Sequence, residues 1–211
     1  MSHHADTGKI HIVDPDADAR ARVHRLLGSL GYPVTEHPDV ESFLNSRDIG
    51  DAGCVVLDHD LPSGSGLAML ARLHARGSPI GVVFLSQHAD VPTAVAAMRA
   101  GAAHFLVRPV REQQLLEVAT RAVRTSLQHA ERATLRRTVL SHLSTLTERE
   151  RQVLEHLIEG APYDVVSDHL GITKRTVEAH RRRIMEKMGV RTLPQLLQKL
   201  AVVDGHGTAR H

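Results

Sequence analysis

Between residues 9 and 107 the chain repeats one pattern, a short apolar run followed by a stretch with helical spacing. Lys9–Val13, Cys54–Leu57, Ile80–Leu85 and His104–Val107 are the apolar runs. They are nearly continuous rather than alternating, as in strands covered on both faces. After the first run, Val23, Leu26, Leu27 and Leu30 recur on one face of a segment from Ala17 to Leu30, and Gly31 closes it. Leu67–Leu73 has the same spacing. Asp90 caps, and Pro92 opens, a helix over Val91–Ala100, with Gly101 after it. A weaker strand at Pro33–Glu36 and a short helix near Val40–Ser46 complete five β-α units, the last helix starting after Arg111. Parallel strands joined by helical crossovers predict an α/β fold, a doubly wound five-stranded parallel sheet.

In such a sheet, ligands bind beyond the carboxyl ends of the strands. Asp14 ends the first strand, Asp58 the third, Ser86 the fourth and Arg108 the fifth. All four are expected to converge on one crevice. Carboxylates with a hydroxyl and a cation suit a divalent metal and a phosphoryl group. Asp58 could act as a nucleophile there, since a carboxylate can carry a covalent phosphoryl group. Asp14 and Pro15 also read simply as the cap and first residue of a helix.

The second half of the chain is of another kind. Residues 1–120 hold 10 Lys+Arg against 14 Asp+Glu, and residues 121–211 hold 16 against 10. An acidic half and a basic half predict two domains with different partners, the basic one facing nucleic acid. With no Trp, two Tyr and three Phe, a base-stacking surface for single strands is not expected. One cysteine, Cys54, excludes an internal disulfide framework and a Cys-based zinc site. No apolar run approaches the ~18 residues of a membrane span, and the start MSHHADTGKI has no apolar signal core, so no membrane contact and a cytoplasmic location are expected.

From Arg111 to Leu143 neither Pro nor Gly interrupts the chain, and a helix is expected throughout. Leu115, Leu116, Val118, Ala119, Ala122 and Val123 form an apolar face that Leu127, Ala130, Leu135, Val139 and Leu140 continue less regularly. This stripe can pair in a dimer or pack on its own domain, and the dimer contact is the expectation. Thr147-Glu-Arg-Glu150 is a capping box. A helix to Gly160, a short one from Pro162 to Leu170, a third over Lys174–Met188 and a fourth from Thr192 to about Val202 follow. The tight Leu170-Gly171-Ile172 turn makes the second and third a helix-turn-helix within an all-α domain.

The segments HIVDPD, VVLDHDLPSGSGL and VVFLSQHADVPTAVAAMRAGAAHFLVRP resemble the receiver domain of two-component response regulators, over about residues 8–125. SQHADVPTAVAAMRAGA is similar to the FixJ subgroup in particular. The resemblance implies that Asp58 accepts phosphate from a sensor histidine kinase. It implies Ser86 as the switch hydroxyl and Phe105 as the switch aromatic, with Arg108 in the place of a lysine before a cis proline, Pro109. It implies Mg2+ at Asp14, Asp58 and Asp60. Where the family has two adjacent acids this chain reads Asp14-Pro15, which removes one ligand position and leaves Asp16 as the candidate substitute. Arg108 keeps the charge of lysine but not its point-like shape. The alternative is an atypical receiver, controlled by dimerisation, another ligand or protein abundance.

LTERERQVLEHLIEG and LGITKRTVEAHRRRIMEKMGV resemble the LuxR/FixJ/NarL helix-turn-helix, over about residues 146–200. The resemblance implies that Lys174–Met188 is the recognition helix in the major groove of double-stranded promoter DNA. Seven basic residues between 174 and 191 stand against Glu178 and Glu186. Glu178, Ala179 and Arg182 would face bases, and Lys174, Arg175, Thr176, Arg181 and Arg183 phosphates. Val177, Ile184 and Met188 would point inward. Leu193, Leu196, Leu197 and Leu200 of the fourth helix would form a homodimer contact, and RNA polymerase is the further partner implied. Tyr163-Asp164 stands where the family often has Asn-Lys, and Asp164 would repel phosphate. The expected order is a receiver at 8–125, a helical linker at 126–143, a DNA-binding domain at 144–203 and a flexible tail at 204–211.

Two other readings of these residues are open. Asp58-His59-Asp60 is similar to the nucleophile loop of haloacid-dehalogenase phosphatases, in which the first Asp attacks and the second serves as acid and base. That family carries the loop on its first strand rather than its third. The 16 His residues suggest metal sensing, with His59 and His88 beside the crevice and His3-His4 at the start. No helical i, i+4 pair with carboxylate support exists, so ordinary surface and core histidines are expected. The expectation is therefore a non-enzymatic, DNA-binding transcriptional response regulator.

Overall fold

The computed structural model describes residues 8–61, 66–87 and 90–203. His3-His4, His88 and the tail at 204–211 lie outside the described residues. The chain divides into two compact units between Glu131 and Arg132.

The first unit runs β1 (Lys9–Val13), α1 (Ala17–Gly28), β2 (Val34–His37), α2 (Val40–Leu44), β3 (Gly53–Asp58), α3 (Gly66–Ala75), β4 (Gly81–Ser86), α4 (Val91–Arg99) and β5 (His104–Val107), with a 3-10 turn at Arg47–Gly50. The five strands form one parallel sheet in the order β2-β1-β3-β4-β5. The chain winds outward from β1 to β2 and then returns to β3 on the other side. That reversal opens a crevice between β1 and β3, whose last paired residues are Val13 and Leu57. Side chains alternate between faces. Ile10, Cys54, Val56 and Val83 pack under α1 and the start of α5 (Glu112–Ser144). Val13, Val55, Leu57 and Phe84 pack under the helices of the other face. Cys54 is wholly buried in the middle of the sheet.

Helix α5 spans the division between the units. Leu115, Val118, Ala119, Ala122 and Val123 are buried in the sheet's core. The Ser126 hydroxyl, also buried, accepts the Gly53 N–H at 2.8 Å. This corrects the expected dimer contact for that stretch. Its apolar face is already spent on covering β3 and β4. Farther along, Val139 is buried in the second unit, and Leu135 and Leu140 are exposed.

The second unit holds the end of α5, α6 (Glu148–Ile158), α7 (Tyr163–Leu170), α8 (Lys174–Met188) and α9 (Leu193–Ala201). The capping box forms: Thr147 N–H donates to Glu150 at 2.9 Å while the Thr147 hydroxyl accepts from the Glu150 N–H. Gly171 ends α7 with φ +62°, a left-handed conformation that a side chain would strain, and so sets the turn into α8. Val153, Leu157, Val166, Val177, Ile184 and Leu196 meet in one core. The expected α9 dimer face needs correction as well. Leu196 and Leu200 are buried in this core and Leu193 packs against it, which leaves Leu197 as the exposed leucine of the four. A nine-residue amphipathic helix has one apolar stripe, and here it closes its own domain. Among the described residues, no helix is long and apolar enough to cross a membrane.

Candidate functional sites: an acidic crevice and a basic helix

The strand ends bring Asp14, Asp58, Ser86 and Arg108 to one edge of the sheet, as their positions in the sequence predict. The His59 N–H donates to the Leu85 carbonyl at 2.7 Å, and the Arg108 N–H to the Ser86 carbonyl at 2.8 Å. These bonds carry strand pairing one residue past the core and hold the site residues on rigid backbone. The Arg108–Pro109 peptide bond is cis.

Asp14 is almost wholly buried and both of its oxygens are engaged. One accepts the Asp16 N–H at 2.9 Å, and the other pairs with the Arg108 guanidinium at 2.7 Å. Arg20 donates to the Asp14 carbonyl at 2.6 Å and anchors the end of β1. The Asp16 carboxylate caps α1, accepting from the Asp18 and Ala19 N–H groups, rather than joining Asp14. Those two bonds hold its carboxyl below the usual range. Asp58 is 8% exposed, and one of its oxygens accepts the Asp60 N–H at 3.3 Å. Burial pushes the Asp58 carboxyl up, the charges of Asp14 and Asp60 add to this, and the Asp60 N–H and Arg108 oppose it. The Asp60 carboxylate accepts the Gln87 N–H at 3.0 Å and the Ser86 hydroxyl at 3.4 Å. Among the described residues, no group of three or more His, Cys, Asp or Glu is arranged to hold a metal ion.

Phe105 is half-buried, and its ring meets those of His59 and Phe84 at 5.6 and 6.0 Å. The His59 ring, edge-on to both phenylalanines, thus ties the residue after Asp58 to the expected switch aromatic. The sequence showed His59 beside Asp58 but not this packing, because Phe105 arrives from another strand. On the neighbouring face, Val91, Val95 and Met98 of α4 and Val107 of β5 are exposed apolar residues.

In the second unit, Thr173 caps α8 through the Thr176 N–H at 3.2 Å. Val177, Ile184 and Met188 are wholly buried, as their spacing predicts. The opposite stripe is open: Lys174, Arg175, Glu178, Arg182 and Arg183 are exposed, and Thr176, Ala179 and Arg181 half-buried. Asp164 lies 3.8 Å from Lys174, so a cation expected on phosphate has an anion beside it. The helix is pinned from below by a pair invisible in the sequence. Lys187 donates to Glu150 at 2.7 Å and to the Thr145 carbonyl at 2.9 Å. Burial pushes the Glu150 carboxyl up, and the bonds from Lys187 and Thr147 outweigh it, so the carboxyl stays below its usual range.

Comparison with known proteins agrees with this geometry. Residues 10–120 match the response regulator receiver domain, and residues 144–200 match the bacterial regulatory proteins of the luxR family. The transcriptional regulatory protein FixJ of Azorhizobium caulinodans is 36% identical, over 93% of this chain and 92% of its own length. The response regulator protein TodT of Pseudomonas putida is 32% identical, over 94% and 88%. Among solved structures, the response regulator StyR aligns with a TM-score of 0.82 at 34% identity, over 92% of this chain and 98% of its own. Full-length FixJ from B. japonicum aligns with a TM-score of 0.56 at 32% identity, over 94% and 98%. The phosphatase reading of Asp58-His59-Asp60 is set aside by these matches. The chain belongs to the response regulators that join a receiver domain to a LuxR-type DNA-binding domain, and it is a transcriptional regulator rather than an enzyme.

Proposed function

We propose that Asp58 accepts a phosphoryl group from a sensor histidine kinase and that this modification controls homodimer formation and promoter binding in the cytoplasm. The observation that carries the proposal is the convergence of Asp58 with Asp14, Ser86 and Arg108 at the point where the strand order reverses. An Asp58 oxygen bonds to phosphorus, the bond from phosphorus to the donor nitrogen breaks, and its electron pair leaves with the imidazole. Ser86 and Phe105 would then rearrange toward the new oxygens. The exposed apolar residues of α4 and β5 support that face as the dimer contact, with Leu197 as a second point on α9.

The open stripe of α8 supports its placement in the major groove. Arg182 reads guanine, Glu178 accepts from cytosine and Ala179 meets a thymine methyl. Lys174, Arg175, Thr176, Arg181 and Arg183 meet phosphates. The DNA-bound dimer then acts on RNA polymerase.

Receiver domains typically hold Mg2+ at this acidic site. The residues here do not fit that ion as built. Pro15 supplies no carboxylate, the Asp16 carboxylate caps α1, and both oxygens of Asp14 are already engaged, one by a guanidinium.

The test is intact mass after incubation with a small-molecule phosphodonor, beside Asp58→Asn. A phosphoryl adduct on the natural protein alone is the expected result. An equal adduct on the variant removes Asp58 from its role.

A further inference from the structure

The misfit with magnesium points to another source of positive charge. We propose that the Arg108 guanidinium is the resident cation of this crevice, in the place of the divalent ion, so that phosphoryl transfer to Asp58 proceeds without metal. The inference rests on Asp58 as the phosphoacceptor.

Three observations carry it. First, Pro15 takes away one negative charge where a divalent ion would be gripped. Second, the guanidinium sits on the remaining acid at 2.7 Å, so Asp14 presents a neutral pair rather than a bare carboxylate. Both changes weaken the hold on a small hard cation, which needs several unshared oxygens. Third, the Arg108 Nε is buried and has no hydrogen-bond partner among the described residues. A buried donor left unpaired is unfavourable. A phosphoryl oxygen on Asp58 is an acceptor of the right charge to fill that gap. Guanidinium suits the task, being permanently charged and able to donate in a planar fork to Asp14 and a phosphoryl oxygen together. Its backbone is fixed by the bond from its N–H to Ser86, so the cation is held before the anion arrives.

With acetyl phosphate as donor, the Asp58 oxygen forms a bond to phosphorus, the bond between phosphorus and the acetyl oxygen breaks, and the electron pair leaves with acetate. No metal is needed for the balance.

The test uses the full chain stripped of metal by a chelator. Manganese, as a paramagnetic stand-in for magnesium, is titrated and read by electron paramagnetic resonance. The natural protein should show no saturable site in the low-millimolar range. Pro15→Asp, at an exposed position where folding is not at risk, should bind at least about tenfold more tightly. In parallel, acetyl phosphate is added with chelator or with magnesium and the adduct is followed by mass. The natural protein should react at the same rate in both, and Arg108→Lys should become magnesium-dependent. Saturable manganese binding that Asp58→Asn abolishes, or an adduct seen only with magnesium, overturns the proposal. No adduct under either condition would instead remove the phosphoacceptor reading, and the manganese titration alone then decides the role of Arg108.

Discussion

Asp14 in the receiver and Glu150 in the DNA-binding domain are both carboxylates, 4% and 3% exposed at the side chain, each 2.7 Å from a cation that is partly exposed. The two pairs differ in what surrounds them. Lys187 also reaches the Thr145 carbonyl, and Glu150 also accepts the Thr147 N–H, so that pair is closed. The buried Arg108 Nε has no hydrogen-bond partner among the described residues, and Asp58 and Asp60 crowd the same crevice, so the other pair keeps a donor still to be satisfied. Ion pairs of equal length thus serve as a clamp where both partners bond further groups, and as part of a site where a buried donor is left over.

The sharpest way to break this comparison is to remove each acid. Glu150→Ala strands Lys187 and opens the cap of α6, and should cost the second unit about 3 kcal/mol in urea unfolding, the low end for a broken buried pair because Lys187 is a third exposed. A loss below about 1 kcal/mol would deny the pair its role as a clamp.

Acid should separate the two units next. In the receiver core His11 Nδ1 lies 3.1 Å from His37 Nε2, and both rings pack on Phe43. Burial, and then the charge of His37, push His11 from 6.5 to about 4, and burial lowers His37 too, against the pull of Asp48. The folded values lie below the unfolded ones, so the unfolded chain takes up protons first. Receiver stability should be full above pH 6.5 and fall by about 3 kcal/mol toward pH 4, while His11→Leu flattens the profile. A receiver whose urea midpoint does not move over that range would contradict the burial of the pair.

On the DNA side, Arg182→Ala should cost about 1–3 kcal/mol and relax preference at one base pair. Lys174→Ala should weaken all sequences alike and lower the salt slope by about 1. Binding isotherms at several salt concentrations separate the two, and two unchanged affinities would move the groove contact off α8. The smallest effect belongs to Asp14→Asn. Relief of repulsion from Asp58 and Asp60 offsets the lost charge pairing with Arg108, so stability should stay within about 1 kcal/mol of the natural protein. If it costs as much as Glu150→Ala, the two pairs are alike after all.

What could be read beforehand followed from local rules. Strand ends located Asp14, Asp58, Ser86 and Arg108, and caps at Thr147 and Thr173 located α6 and α8. What could not be read depended on partners far apart in the chain. Lys187 finds Glu150 across 37 residues and Arg108 finds Asp14 across 94. The apolar stripes of α5 and α9 were visible, yet their spacing is the same whether a stripe meets its own core or another molecule. Only the sheet above Val118 and the core around Leu196 decide between these.

Cys54 is the sole cysteine of the sequence and lies at the centre of the receiver sheet, where burial pushes its thiol up to about 12. It is therefore almost never a thiolate while the strand stays paired, and oxidants and alkylating reagents have no route to it. The buried sulfur is a native stopwatch: its labelling rate measures how often this half of the molecule opens, with no signal from the other half.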